Sequence, residues 1–123
     1  MFYMNNYKEL KSWQKSVDLA VKVYEITNGF PKDERYGLTS QIRRSAVSIP
    51  SNIAEGAGRN TKKDFNNFLG ISSGSSCELE TQLMIAHRIN VIDQSVLRSI
   101  QQEIDEIQKM NWALKKSLNL TQD

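Results

Sequence analysis

The sequence predicts an all-α protein, an antiparallel up-down-up-down four-helix bundle formed by a single domain, residues 1–123. Two observations support this prediction. Apolar residues recur at spacings of three and four in four long segments, as expected for helices that each bury one face. The segments between them are short, which makes each helix the antiparallel neighbour of the next one. Because the chain has only two prolines and six glycines, long uninterrupted helices are allowed.

The first predicted helix covers residues 7–28. Its apolar stripe consists of Leu10, Trp13, Val17, Ala20, Val21 and Tyr24. We expect Gly29 to follow the helix with a positive φ, which glycine adopts without steric cost, and Phe30-Pro31 to prevent continuation.

The second predicted helix covers residues 38–56, with Thr39 or Ser40 near its cap. Its core edge consists of Ile42, Ala46, Ile49 and Ile53. Pro50 lies inside this pattern, and an interior proline costs a helix about 3 kcal/mol. Because the apolar period passes through Pro50 without a change of phase, we predict one kinked helix, ended by Gly56 and Gly58.

The third predicted helix covers residues 61–90, with Thr61 as its cap and Asp64 three residues later. Its stripe consists of Phe65, Phe68, Leu69, Leu79, Leu83, Ala86 and Ile89. Residues 70–77 resemble a linker by propensity alone. However, the stripes on either side stay in phase only if the helix continues, so we predict a continuous helix. The small residues Gly70, Gly74, Ser72 and Ser76 would then let a neighbouring helix approach closely.

The fourth predicted helix covers residues 94–119 and follows Asp93 or Ser95 as cap. It has the most regular stripe in the chain, formed by Val96, Ile100, Ile104, Ile107, Met110, Leu114 and Leu118. Trp112, Leu97, Val47 and Ile71 fall off the main stripes. We expect them to be exposed in a single bundle, which favours self-association.

The residues that carry catalysis or bind metals are not arranged for either role. A di-metal bundle site needs a glutamate three residues before a histidine, but the single histidine, His87, has Met84 there. Cys77 has no second histidine to pair with, and we expect it to be a buried packing residue. Gly56 and Gly58 do not precede the Gly-Lys-Ser/Thr sequence of a phosphate-binding loop. We therefore predict no catalytic residue, no metal, no cofactor and no small-molecule substrate.

The single cysteine and the absence of a signal-like N-terminus predict a cytoplasmic protein. No apolar run approaches the roughly 20 residues of a membrane span, so no membrane association is expected.

Positive charge is concentrated in one part of the chain. Residues 35–63 carry six Lys/Arg against one acid, Glu55, whereas residues 64–123 carry five against eight. The candidate nucleic-acid-binding residues are Arg43, Arg44, Arg59, Lys62 and Lys63. Such residues give sequence-independent affinity for phosphates. Few aromatic residues lie near them in the sequence, so base stacking is not expected. The same residues could instead form a solvated face, or pair with acids such as Glu78 or Glu80 of another subunit.

The run YGLTSQIRRSAVSIPSNIAEGAGR (residues 36–59) resembles the signature of the bacterial 23S rRNA intervening-sequence proteins. That family also includes the accessory variability proteins of diversity-generating retroelements. Two further runs resemble its first and third helices: KELKSWQKSVDLAVKVYEITNGFP (residues 8–31) and FLGISSGSSCELETQL (residues 68–83).

The resemblance implies an antiparallel four-helix bundle that assembles into a homopentameric barrel. In the retroelement branch it also implies a basic surface that contacts RNA and a reverse transcriptase. By motif position the residues concerned are Arg43, Arg44 and Arg59, with Asn52 and Glu55 in the same run. The leading hypothesis is a non-enzymatic, homo-oligomeric, RNA-associated scaffold. The alternative is a protein–protein adaptor without a nucleic-acid role.

Overall fold

The computed structural model describes residues 6–118, which form four α-helices and no strand. The helices are α1 Lys11–Thr27, α2 Leu38–Ala57, α3 Lys62–Arg88 and α4 Gln94–Ser117. Short 3-10 turns lie before α1, at Tyr7–Glu9, and between α1 and α2, at Lys32–Glu34. The prediction of an all-α protein with four helices is confirmed. The end of the last predicted helix, residue 119, lies outside the described residues.

Hydrogen bonds and ion pairs between the helices show that neighbours run antiparallel. On α2, Ser45 Oγ donates to Gln82 Oε1 of α3 at 3.0 Å. One turn later, the Ile49 carbonyl accepts a hydrogen bond from Ser72 Oγ at 2.9 Å. Residue numbers thus rise along α2 as they fall along α3. The same reversal relates α1 to α4, where Lys15 pairs with Glu106 and Lys22 pairs with Glu103.

Helix α1 differs from its prediction in where it begins and in which face it buries. It starts at Lys11 because Leu10 is extended and follows the separate turn at Tyr7–Glu9. Val21 and Tyr24 are exposed, and the buried face consists of Ser12, Ser16, Leu19, Ala20, Val23 and Thr27. The predicted positive φ at Gly29 is wrong, because no described glycine has one.

Helix α2 is continuous through Pro50, as predicted, and all four predicted core residues are buried. Its N-cap is Gly37 rather than Thr39 or Ser40, and the Leu38 amide donates to Glu34 Oε1 at 3.3 Å. Gly56 lies inside the helix, which ends at Ala57 with Gly58 as the C-cap.

Helix α3 is also continuous, so the prediction that residues 70–77 are helical is confirmed. The Thr61 hydroxyl caps it by accepting from the Asp64 amide at 3.1 Å. Ser72 and Ser76 are buried against the neighbouring helices. The expected close approach at the glycines is wrong, because a Cβ at Gly74 would meet nothing within 4 Å. The glycines lie on the outer side of α3.

Helix α4 is capped by Asp93, whose carboxylate accepts from the Val96 amide at 2.9 Å. Leu97 is buried, contrary to expectation. The core of α4 also contains a fully buried polar side chain, Asn111, which donates to Ser72 Oγ at 3.2 Å. None of the helices within residues 6–118 is both long enough and apolar enough to cross a membrane.

Candidate nucleic-acid interface

The five predicted cationic residues fall into two groups at opposite ends of α2. Arg43 and Arg44 lie near its beginning, whereas Arg59, Lys62 and Lys63 lie beyond its end. Fifteen residues separate Arg44 from Arg59, which corresponds to about 22 Å along a helix at 1.5 Å per residue. The five residues therefore do not form one surface within a subunit.

Arg43 connects α2 to α1. Its Nε donates to Thr27 Oγ1 at 2.7 Å and its Nη2 donates to Asn28 Oδ1 at 3.1 Å. The guanidinium also lies 4.5 Å from the centre of the Tyr24 ring. These contacts hold the side chain against its own subunit, so its first role is structural.

Arg44 is exposed and lines a groove of about 410 Å³ between α2 and α3. The other residues of this groove are Gln41, Ser45, Ser48, Glu78 and Gln82. Glu78 accepts a hydrogen bond from Ser45 Oγ at 3.5 Å. Among the ion pairs of the described residues, none involves Arg44 or Glu78. The groove thus contains a cation and an anion that are not neutralised within the subunit.

Arg59 is partly neutralised. Its Nη2 pairs with Glu55 Oε2 one turn earlier at 2.8 Å, and its guanidinium lies 4.8 Å from the centre of the Phe68 ring. Because the pair is about half exposed, solvent screens it and its contribution to stability is small.

Lys62 and Lys63 are the first two residues of α3, and both are exposed. Neither forms an ion pair with any described residue. The N-terminus of a helix carries about half a positive charge from the aligned peptide dipoles. The two ammonium groups therefore add to a positive potential that the backbone already provides.

Further lysines reach the same end of the bundle because the helices are antiparallel. We call this half of the molecule, residues 6–18, 48–75 and 106–118, the basic end. It contains nine Lys/Arg against five Asp/Glu, while the remaining described residues contain seven against eight. Three of its lysines, Lys109, Lys115 and Lys116, come from α4, which the sequence assigned to an acidic part of the chain.

Trp112 lies on α4 at the basic end and is 62% exposed. Lys116 Nζ is 4.8 Å from the centre of its ring. The indole lines a depression of about 380 Å³ together with Ser73, Gln108, Lys109 and Lys115. The fold therefore brings an exposed aromatic residue to the end of the bundle that holds Lys62 and Lys63, although few aromatic residues lie near them in the sequence. The sequence separates Trp112 from Lys63 by 49 positions, and only the fold places both at one end.

Comparison with known proteins identifies the family. Residues 8–113 match the family model described as 23S rRNA-intervening sequence protein. The chain belongs to this family. A similar solved structure is a protein of unknown function from the S23 ribosomal protein family of Bacteroides thetaiotaomicron VPI-5482. It is 27% identical, with a TM-score of 0.79, and the match covers 85% of this chain and 95% of that chain. No curated protein matches.

Reactive side chains in this family member do not cluster. Within residues 6–118, no group of three or more His, Cys, Asp or Glu residues could hold a metal ion. Cys77 is exposed, so its predicted burial is wrong, and its Sγ accepts from Gln108 Nε2 at 3.7 Å. Asn52, in the central run, donates to the Ser48 carbonyl at 2.8 Å within α2.

Proposed function

We propose that this chain is a non-enzymatic, homo-oligomeric scaffold that binds structured RNA through its basic end. The observation that supports RNA binding is the excess of nine Lys/Arg over five Asp/Glu at that end, with Lys62 and Lys63 exposed and unpaired. Cations in the first turn of a helix oppose its dipole, at a cost of about 0.3–1 kcal/mol each. A phosphate bound at this position would interact favourably with both the lysines and the helix dipole, since helix N-termini attract anions.

Self-association is proposed through the outer face formed by α2 and α3. Ile71, Glu78 and Ile85 repeat at seven-residue spacing on α3, and the two isoleucines are 50% and 47% exposed. Arg44, across the groove from Glu78, supplies the complementary charge. A second copy of the chain would cover the isoleucines and pair its Glu78 with Arg44.

The proposed assembly is a pentamer of about 70 kDa, five times the 14.1 kDa chain. A ring repeats the basic end once in every subunit. An RNA that spans several subunits would then bind more tightly than any single site allows.

Charge reversal at the basic end tests the RNA proposal. Lys62→Glu/Lys63→Glu should weaken binding of a structured RNA strongly, because it replaces two attractive contacts with two repulsive ones. The matched control is Lys32→Glu/Arg98→Glu, which makes the same change in net charge at exposed residues of the opposite half. The control should bind RNA like the wild type, and both variants should keep the wild-type mass. Equal affinity of all three proteins would show that RNA does not bind at the basic end.

A charge swap tests the subunit contact. Arg44→Glu places two carboxylates in the proposed interface and should lower the mass measured by light scattering toward 14.1 kDa. Adding Glu78→Arg restores an opposite pair and should restore the mass. If Arg44→Glu leaves the mass at the wild-type value, Arg44 is not in the interface.

The second candidate function is a protein–protein adaptor, which the exposed apolar surface favours. Tyr36 is 88% exposed beside Arg35 just before α2, and it lines a depression that also includes Arg44. An adaptor would keep its mass and bind no RNA at any salt concentration. The RNA titration above therefore distinguishes the two functions.

A further inference from the structure

We infer that Trp112 stacks on an unpaired nucleobase, so that the basic end takes single-stranded or looped-out nucleotides in preference to continuous duplex. This inference rests on the proposed function, because it names the part of an RNA that the basic end holds. The inference can fail while the proposed function stands, since RNA can bind at the basic end without stacking on Trp112.

The indole of Trp112 is exposed, so it is available to a partner outside its own subunit. The other tryptophan, Trp13, is half-buried, packs against the core and meets the Tyr7 ring edge-on at 5.2 Å. Trp112 has only the Lys116 ammonium over its ring among the contacts of residues 6–118, and 62% of the residue is open to water. A large apolar ring in this setting gains free energy when another planar group covers it.

The charges around Trp112 favour a nucleotide as that partner. Lys115 lines the same depression, and Lys116 Nζ lies over the indole ring at 4.8 Å from its centre. The acids that precede Trp112 most closely on α4, Glu106 and Asp105, are paired with Lys15 at 3.0 Å and with Lys109 at 3.2 Å. A base on the indole would place its phosphates among Lys115 and Lys116. Aromatic stacking with flanking cations is how proteins hold single strands without reading their sequence.

The opposite wall of the depression is open enough for a flat ligand. Ser73 of α3 forms it, and Gly70 and Gly74, which lie near Ser73 on the same helix, carry no side chain. A Cβ at Gly74 would meet nothing within 4 Å, and one at Gly70 would meet only Lys115 Nζ at 3.8 Å. Lys63 lies two turns before Gly70 on the same face of α3, about 10 Å along the helix. A strand leaving Trp112 along α3 would therefore reach the first-turn lysines.

A continuous RNA duplex cannot supply this contact. Its bases are already stacked on one another, and its deep major groove excludes side chains. A twofold contact with a second copy of the chain is also unfavourable, because it would bring the lysines around the two tryptophans together, and the proposed ring contact uses the face of α2 and α3 instead. An unpaired base would stack on the indole ring, and its phosphates would bind the lysines.

Tryptophan fluorescence tests the inference in the full-length Trp13→Phe variant, in which Trp112 is the only tryptophan. The probes are a short oligouridylate, an abasic ribose-phosphate chain of equal length, and an RNA duplex of equal phosphate number. Oligouridylate should quench the fluorescence and bind about tenfold more tightly than the abasic chain, as expected for a stacking contribution of about 1.4 kcal/mol. The abasic chain and the duplex should bind without quenching.

Substitutions complete the test. Trp112→Leu should remove the preference for oligouridylate over the abasic chain, while Trp112→Phe should retain most of it. Tyr36→Leu is the matched control, an exposed aromatic residue in the other half, and should not change the preference for oligouridylate.

Equal affinity for oligouridylate and the abasic chain in the wild type overturns the inference and leaves the proposed function intact. If no probe binds, the proposed function fails. A loss of oligomer mass in Trp112→Leu would assign Trp112 to a subunit interface and also overturn the inference.

Discussion

Gly56 is placed where α2 meets the first two turns of α3. A Cβ at this position would lie 2.7 Å from Phe68 Cβ and 2.9 Å from Phe65 Cδ1. Both contacts are shorter than packed carbon atoms tolerate, so the helices would have to move apart. Only glycine fits at this position, because Phe65 and Phe68 occupy the space that a side chain would need.

Gly56→Ala should therefore lower the free energy of unfolding by about 1–3 kcal/mol, the usual cost of overpacking a core. Gly74→Ala is the matched control, because Gly74 is also inside a helix but a Cβ there meets nothing within 4 Å. That substitution should raise the free energy of unfolding by about 0.5–1 kcal/mol through helix propensity alone. Urea denaturation of the two variants and the wild type measures both effects. A stabilising Gly56→Ala would show that the helices do not approach as described.

Asp93 makes stability depend on pH. The hydrogen bond from the Val96 amide, followed by that from the Ser95 hydroxyl, lowers the pKa of the Asp93 carboxyl. Because the pKa is lower in the folded than in the unfolded protein, the stabilisation is present above the unfolded pKa of about 4. It is lost as the pH falls through the folded pKa.

Asp93→Asn should retain the cap and remove the titration, because asparagine is also a good N-cap. The unfolding free energy of the wild type should therefore fall more steeply than that of the variant between about pH 5 and pH 2. Thermal denaturation across this range measures the difference. Parallel profiles would show that the carboxylate contributes nothing beyond the cap.

At the scale of the helix, the sequence predicted α2 correctly and misplaced the face of α1. The four core positions of α2 are isoleucine or alanine, so hydropathy alone identifies the buried face. The buried face of α1 includes Ser16 and Thr27, whose hydroxyls bond to carbonyls of their own helix at 2.9 and 2.8 Å. These bonds remove the cost of burying the hydroxyls. An apolar stripe cannot reveal positions that small polar residues occupy.

Asn111 gives a second case of a buried polar residue in the core. It lies one position before Trp112, and its amide reaches Ser72 on α3 in place of an apolar contact. The regular apolar stripe of α4 gives no indication that Asn111 is buried. Continuity of α3 through residues 70–77 was predictable, because the phase of the flanking apolar residues outweighs the low helix propensity of glycine and serine.

The charges at helix ends yield a prediction for whole helices. Lys62→Glu/Lys63→Glu should raise the free energy of unfolding by about 0.3–1 kcal/mol per residue, because acids favour the N-terminus of α3. The matched control is Lys115→Glu/Lys116→Glu in the last turn of α4, where basic residues are favourable. The control should lower the free energy of unfolding by a similar amount. Urea denaturation at low ionic strength measures both, and equal signs for the two variants would contradict a dipole effect.

At the scale of the whole molecule, the distribution of charge between the two ends of the bundle differs from its distribution along the chain. Along the chain, residues 64–123 are acidic, yet Lys115 and Lys116 lie at the same end of the bundle as Lys62 and Lys63. The antiparallel topology was predicted and implies which helix halves share an end. The position of Trp112 beside α3 additionally depends on the rotation of α4 about its axis, which hydropathy fixes only within a residue or so. The sequence therefore predicted the lysines of the site, Lys62 and Lys63, but could not predict that Trp112 belongs to it.

The salt dependence of RNA binding tests the central claim, that the basic end contacts phosphates. The measurement is the slope of the logarithm of the association constant against the logarithm of salt concentration, for one structured RNA and three proteins. These are the wild type, Lys62→Gln/Lys63→Gln, and Lys32→Gln/Arg98→Gln from the opposite half. Each lost phosphate contact should reduce the slope by about 0.7–0.9, so the first variant should show a reduction of about 1.4–1.8 and the second none. An unchanged slope in Lys62→Gln/Lys63→Gln would contradict the assignment of the basic end as the RNA-binding surface.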